Sequence, residues 1–185
     1  MAMRKLFLAG FGGQGVLLMG QIIAYAGMME GKEVTFMPSY GPEMRGGTAN
    51  CTVIVSDSPI SCPIITEADV LVAMNLPSLV KFESLLKPKG RLFINSSLVE
   101  KQPERKDVTT YHINLSELAA ELKNDKVANM IMLGAIVRSS GVVKLSSVEK
   151  AMEKLFTGSK AKLLPLNREA LRVWADVPEE QAAGL

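Results

Sequence analysis

The sequence has 185 residues, of which 48% are hydrophobic, and this length predicts one domain over residues 1–177 followed by a frayed tail at 178–185. Its 21 Lys and Arg side chains nearly balance its 19 Asp and Glu side chains, and they form no dense basic run. A nucleic-acid partner is therefore not expected, because binding a phosphate backbone requires clustered positive charge.

The N-terminal segment predicts a strand, a turn and a helix. The apolar run Lys5–Ala9 is typical of a short strand, and Val16–Met29 of a helix. The helical run is interrupted by glycines and is shorter than the roughly 20 residues that cross a bilayer, so no membrane association is expected. The N-terminus lacks the small-residue cleavage site of a signal peptide, which favours a cytoplasmic location.

The remaining elements alternate in a way that predicts an α/β fold. Strands are predicted at Val34–Met37, where Pro38 ends the strand, and at 48–55. They are followed by a strand at 69–74, a helix at 78–86, a turn at 87–90 and a strand at 91–95. An exposed connection at 100–107 leads to a strand at 108–113, a helix capped by Asn114 or Ser116, and helices at 127–138, from 146, and at 167–174. The predicted architecture is a three-layer α/β fold with a mostly parallel open sheet and a helical C-terminal part. The helix at 127–138 is apolar on all sides, so we expect it to be buried or to lie in an interface.

The clearest motif is the glycine-rich turn Gly10–Gly15, a GxGxxG pattern between a predicted strand and a predicted helix. Such turns let free N–H groups and the helix dipole face a phosphate or carboxylate. A dinucleotide site also needs an acidic residue at the end of the second strand, where this chain has Pro38, Ser39 or Tyr40. Three interpretations stay open: an anion site, a stand-alone nucleotide-binding protein, and glycines that only allow close packing.

A further motif, Ser39–Gly47, places Tyr40, Glu43, Arg45 and several glycines between two predicted strands. Arg45 offers a planar donor fork to a carboxylate or phosphate, and the loop is expected to share a crevice with the glycine-rich turn. The alternative is a solvated Glu43–Arg45 ion pair in a simple connection.

Cysteine and histidine are too scarce to predict a metal or cluster site. Cys51 and Cys62 are widely separated and are expected to be reduced, buried thiols, and His112 lies in a predicted strand without an evident catalytic role. No nucleophile with an adjacent base is apparent, so no catalytic residue is assigned.

Together these residues resemble the gamma subunit of the 2-oxoacid:ferredoxin oxidoreductases. The resemblance covers most of the chain and is carried by Gly10–Gly15, Ser39–Gly47, Asn129-Met130 and Leu133-Gly134. The paired motifs GGQG and SYGPExRGG are more specific than either alone. Within the family, SYGPExRGG most resembles the 2-oxoglutarate branch.

The resemblance implies a subunit of a cytoplasmic hetero-oligomer of anaerobic metabolism. Such an enzyme converts a 2-oxoacid and coenzyme A, as cosubstrate, to acyl-CoA and carbon dioxide and passes electrons to ferredoxin. Thiamine diphosphate, Mg and iron–sulfur clusters are expected on the alpha, beta and ferredoxin-like delta partner subunits, and the isolated chain is expected to be inactive. The residues expected to contact a ligand or partner are Gly12, Gly13, Gln14, Gly15, Tyr40, Glu43, Arg45, Gly46, Gly47 and Asn129.

Overall fold

The computed structural model describes residues 3–41 and 47–174. Its strands are β1 (Arg4–Phe11), β2 (Glu33–Tyr40), β3 (Thr48–Ser56), β4 (Ala68–Ala73), β5 (Leu86–Asn95) and β6 (Thr109–Ile113). Its helices are α1 (Val16–Met29), α2 (Leu76–Phe82), α3 (Leu115–Glu121), α4 (Ala128–Ser140), α5 (Leu145–Leu155) and α6 (Leu164–Arg172), with short 3₁₀ turns at Glu83–Leu85, Asp125–Val127 and Gly158–Leu163.

The strands form one open sheet in the order β2-β3-β1-β4-β5-β6. Strands β1, β4, β5 and β6 pair in parallel, whereas β3 is antiparallel to both β1 and β2. Five of the six described strands therefore point the same way. The predicted mostly parallel α/β sheet with a helical C-terminal part is confirmed.

Helices cover the sheet on both faces, which gives three layers. Leu6 and Leu8 of β1 face the larger core, which contains α1, α4, α5 and α6, while Phe7 and Ala9 face a smaller core beneath α2. A central strand that is buried on both faces reads as a continuous apolar run, which is why Lys5–Ala9 is recognisable in the sequence.

Two boundary predictions are wrong, and each has a physical reason. Strand β2 continues through Pro38 to Tyr40, because it is an edge strand and a proline is tolerated where one side of the strand has no partner. Residues 87–90 lie within β5 and form no chain reversal; Lys89 has a φ of 60°, and the register with β4 shifts nearby. The Pro-Lys-Gly signal thus marks an irregularity within a strand.

The C-terminal helices bury an apolar segment. Every residue from Asn129 to Val137 of α4 is buried, as expected for a helix that is apolar on all sides. None of the helices in the described ranges is long and apolar enough to cross a membrane. The predicted tail at 178–185 lies outside the described residues, and the domain limits 1–177 stay a prediction.

Gly134 lets α4 and α6 approach closely. A Cβ atom added to Gly134 would lie 2.1 Å from the backbone oxygen of Leu171. Because that oxygen belongs to the backbone of a packed helix, it cannot move aside as the end of a side chain would.

The variant Gly134→Ala is expected to lower the free energy of unfolding by about 1–3 kcal/mol, because overpacking at α6 outweighs the gain of about 1 kcal/mol in helix propensity. Urea denaturation of the full chain measures this difference. The exposed Arg138 of the same helix provides the control, since Arg138→Ala should change stability by less than about 0.5 kcal/mol. A stabilised Gly134→Ala protein would show that the helices are not in close contact here.

Candidate functional site at the carboxyl edge of the sheet

The structure brings the two glycine-rich segments together at one edge of the sheet. The carboxyl ends of β1 and β2 lie at this edge together with the beginning of β3. The N–H of Gly12 donates to the carbonyl oxygen of Gly47 at 2.9 Å, so the turn after β1 contacts the end of the Ser39–Gly47 loop directly. Tyr40 ends β2 and is 60% exposed. Glu43, Arg45 and Gly46 lie outside the described residues.

The side chain of Gln14 holds the glycine-rich turn against the neighbouring strand. Its Oε1 accepts hydrogen bonds from the N–H of Phe11 at 2.7 Å and from Nδ2 of Asn75 at 3.0 Å, and its Nε2 donates to the carbonyl oxygen of Met74 at 3.2 Å. The single carboxamide of Gln14 therefore forms hydrogen bonds with three groups at the ends of β1 and β4. This arrangement fixes the turn relative to β4.

The network continues along the same edge to β5 and β6. Nδ2 of Asn95 also donates to the Met74 carbonyl oxygen, at 3.3 Å, and Oδ1 of Asn95 accepts from the N–H of Ser97 at 3.2 Å. The Ser97 hydroxyl donates to Oδ1 of Asn114 at 2.7 Å. A chain of side-chain hydrogen bonds thus crosses the ends of the parallel strands.

Sequence reasoning missed Asn75 and Asn95 as site residues, although a signal was present. Asn75, Asn95 and Asn114 each end or closely follow a predicted strand. Since the carboxyl ends of parallel strands meet at one edge, a recurring asparagine at this position predicts a shared polar network.

The glycine-rich turn leaves donor groups free at the start of α1. Gly13 and Gly15 have φ angles of 100° and 74°, and Gly15 caps α1 without a side-chain hydrogen bond. Their N–H groups form no hydrogen bond with any residue in the ranges 3–41 and 47–174. Together with the positive end of the helix dipole, these donors suit an anionic ligand.

Asn129 of α4 lies directly against this turn. A Cβ atom on Gly15 would lie 2.2 Å from its Nδ2, so a glycine is required at position 15 for both its backbone angle and its space. Asn129 is only 9% exposed, and its carboxamide forms no hydrogen bond within the described parts of the chain. The amide lines the cavity described below, where it is available to hydrogen-bond water or a ligand.

A cavity of about 310 Å³ joins these features, and we call it the turn cavity. Its walls combine the glycine-rich turn, the ends of β4 and β5, and the beginnings of α3 and α4. Lys126 provides a positive charge and Asp125 a negative one at its exposed side. The lining residues are Gly13, Gln14, Gly15, Met74, Asn95, Leu98, Leu115, Ser116, Asp125, Lys126, Ala128 and Asn129.

The sheet order argues against a dinucleotide in this cavity. In a dinucleotide-binding fold the second strand lies beside the first and carries the acidic residue for the ribose. Here β3 lies between β1 and β2, so the end of β2 is separated from the glycine-rich turn by one antiparallel strand. The missing acidic residue and the strand order therefore both argue against a dinucleotide site.

The cysteines and the histidine lie apart from the turn cavity. Cys51 is buried as predicted, and burial raises the pKa of its thiol to about 12, so it is not a thiolate at neutral pH. The prediction of a buried Cys62 is wrong, because this residue lies in the exposed connection between β3 and β4. Burial lowers the pKa of His112 on β6. Among the described residues, no group of three His, Cys, Asp or Glu side chains is placed to hold a metal ion.

Comparison with known proteins identifies the family. Residues 5–173 match the pyruvate ferredoxin/flavodoxin oxidoreductase family. The chain belongs to this family. It is 40% identical to the 2-oxoglutarate synthase subunit KorC of Methanocaldococcus jannaschii over 80% of this chain and 81% of KorC. It is also 34% identical to the ketoisovalerate oxidoreductase subunit VorA of Methanothermobacter marburgensis over 96% of this chain, which spans only 37% of VorA.

The fold places the chain among the gamma subunits of this oxidoreductase family. The crystal structure of a keto/oxoacid ferredoxin oxidoreductase gamma subunit from Geobacter sulfurreducens matches it with a TM-score of 0.83 and 32% identity. The match covers 100% of this chain and 98% of that one. The resemblance inferred from the two glycine-rich motifs is thereby confirmed.

Replacement of Gln14 tests the network that fixes the site. The variant Gln14→Leu roughly keeps the side-chain volume but removes the acceptor of the Phe11 N–H and of Nδ2 of Asn75, and one of the two donors to the Met74 carbonyl oxygen. It should lower the free energy of unfolding by about 2–4 kcal/mol. The partly exposed Gln21 of α1 supplies a matched control: Gln21→Leu should change it by less than about 1 kcal/mol. Equal effects in a urea titration would contradict a special role for Gln14.

Proposed function

We propose that this chain is the gamma subunit of a 2-oxoglutarate:ferredoxin oxidoreductase. Such an enzyme converts 2-oxoglutarate and coenzyme A to succinyl-CoA and carbon dioxide while it reduces ferredoxin. The motif Ser39–Gly47 and the 40% identity to the KorC of Methanocaldococcus jannaschii support the 2-oxoglutarate branch. Almost all of this chain also aligns with part of VorA, so the same domain occurs in enzymes named for different 2-oxoacids. The assay of the proposed function must therefore compare several 2-oxoacid substrates.

The turn cavity is our candidate for a contact with coenzyme A. The observation that carries this proposal is that the carboxamide of Asn129 and the N–H groups of Gly13 and Gly15 meet at one cavity, without hydrogen-bond partners in the described ranges. A phosphate group of coenzyme A would accept hydrogen bonds from these donors, and Lys126 would add a favourable charge. In this role the chain binds and orients the cosubstrate; Arg45 remains our candidate for a further phosphate or carboxylate contact.

The carboxyl edge is also our candidate for contact with partner subunits. Three large residues at this edge are substantially exposed: Tyr40 by 60%, Leu76 by 39% and Leu98 by 54%. Exposed apolar side chains distributed along an edge that also carries a polar cavity are candidates for an interaction surface. We assign thiamine diphosphate, Mg and the iron–sulfur clusters to the alpha, beta and delta partners, so the isolated chain is expected to be inactive.

Anaerobic affinity purification of the tagged chain from its native source tests the proposal. We expect subunits with thiamine diphosphate and iron–sulfur clusters to co-purify, and the complex to reduce a viologen dye when given 2-oxoglutarate and coenzyme A. A complex that prefers pyruvate or 2-oxoisovalerate would overturn the 2-oxoglutarate assignment alone. A chain that purifies without partners and is stabilised by a free nucleotide would instead favour a stand-alone nucleotide-binding protein.

The glycine at position 13 allows a sharper test of the turn. Gly13 and Gly31 both have positive φ angles, and a Cβ added to either meets no atom within 4 Å, so alanine strains the backbone at both without a clash. Of these two glycines, Gly13 lines the turn cavity and Gly31 does not. In the assembled enzyme, Gly13→Ala should raise the apparent KM for coenzyme A by about tenfold, which corresponds to about 1.4 kcal/mol.

The matched variant Gly31→Ala should leave that KM unchanged although it adds comparable backbone strain. Thermal unfolding of both variants checks that the strain is similar. If both variants bind coenzyme A as the unaltered complex does, the glycine-rich turn has no part in binding the cosubstrate.

A further inference from the structure

Another cavity, of about 420 Å³, lies between α1, α4, α5 and α6, and we call it the helical cavity. Seven of its 13 lining residues are apolar and the other six are amides or lysines, and the volume falls in the range of small-molecule sites. Leu163, which is 47% exposed, belongs to its lining. The principal apolar side chains are Leu18, Met130, Leu155, Phe156, Leu163 and Leu166.

The charged groups of the helical cavity have one sign. Lys126 and Lys160 line it, and no acidic side chain does so among the residues that the structure describes. Asp125, which follows Asn124 in the chain, lines the turn cavity instead. An apolar cavity with only positive charge attracts anions that carry an apolar body.

Carboxamides supply the remaining polar contacts. Asn129 lines the helical cavity as well as the turn cavity, so its amide is available to a ligand in either one. Nδ2 of Asn167 donates to the carbonyl oxygen of Leu163 at 2.9 Å, which orients that amide within the lining. Lysine and amide donors match a small anionic group that bonds at a few points.

We propose that the helical cavity binds a small carboxylate with an apolar body, such as a short acyl chain. The apolar body would lie against Leu18, Leu155 and Leu166, and the carboxylate would accept hydrogen bonds from Lys160 and the neighbouring amides. The site does not depend on the binding of coenzyme A at the turn cavity, because Lys160 and the apolar walls line the helical cavity and not the turn cavity.

Isothermal titration of the full chain with octanoate tests this site. We expect one saturable site with a Kd on the order of 1 mM, as befits a ligand of this size. Acetate, which has the charge but no apolar body, should not bind measurably. Octanol, which has the chain without the charge, should bind about three- to fivefold more weakly than octanoate. The absence of saturable octanoate binding, or equal binding of octanol, would overturn the proposal.

Two lysines of the same 3₁₀ turn provide a matched pair of variants. Lys160 lines the cavity and Lys162 does not, although both are exposed. Lys160→Gln should weaken octanoate binding about three- to fivefold, whereas Lys162→Gln should leave it unchanged. Equal weakening by both would indicate a nonspecific charge effect and contradict the site.

Titration in the presence of saturating coenzyme A separates this proposal from the proposed function. An unchanged octanoate affinity is expected if the helical cavity is a site of its own. Complete displacement by coenzyme A would show that the cavity belongs to the cosubstrate site and would overturn the separate site, while leaving the role in the oxidoreductase intact.

Discussion

The position of the candidate site depends on the hydrogen bonds that join the ends of β1, β4, β5 and β6. The carbonyl oxygen of Met74 accepts from both Gln14 and Asn95, so it joins the turn after β1 to the strand after α2. Most of these bonds are at least partly buried, and leaving a buried member without a partner is costly. The network therefore fixes the glycine-rich turn and with it the start of α1.

The surroundings of the turn offer donors that suit an anion but lack the strand arrangement of a dinucleotide site. Gly15 leaves room for Asn129, so α4 reaches the start of α1 and one wall of the turn cavity is formed by an amide. On the opposite flank, the antiparallel strand β3 occupies the position beside β1. A GxGxxG pattern thus gives the donors of a phosphate site without the neighbouring strand that recognises a ribose.

The elements that can be predicted from the sequence are those where burial is strong. Strands β1 and β4 and helix α4 are nearly continuous apolar runs, and the βαβ unit around α2 is recognisable from the apolar runs of β4 and of the second half of β5. The place of β3 is not predictable, because its alternation fits either direction of pairing. The end of β2 is missed at Pro38, since edge position cannot be read from local sequence. For the site, the glycines are recognisable locally, whereas the Gln14–Asn75–Asn95 network needs three distant segments in contact.

The arrangement suits a subunit that contributes binding energy and leaves the chemistry to others. Around the turn cavity the structure offers N–H groups, amides and a lysine, which are groups suited to binding an anionic ligand rather than to chemistry. The high pKa of the Cys51 thiol keeps that side chain from acting as a thiolate. Binding remote parts of a substrate lowers the entropic cost of bringing its reactive end to the catalytic centre. A gamma subunit that holds the distant end of coenzyme A would therefore affect turnover although no reacting atom touches it. A rigid turn serves this purpose better than a flexible loop, since a displacement of about 1 Å at the binding end is carried to the reacting end.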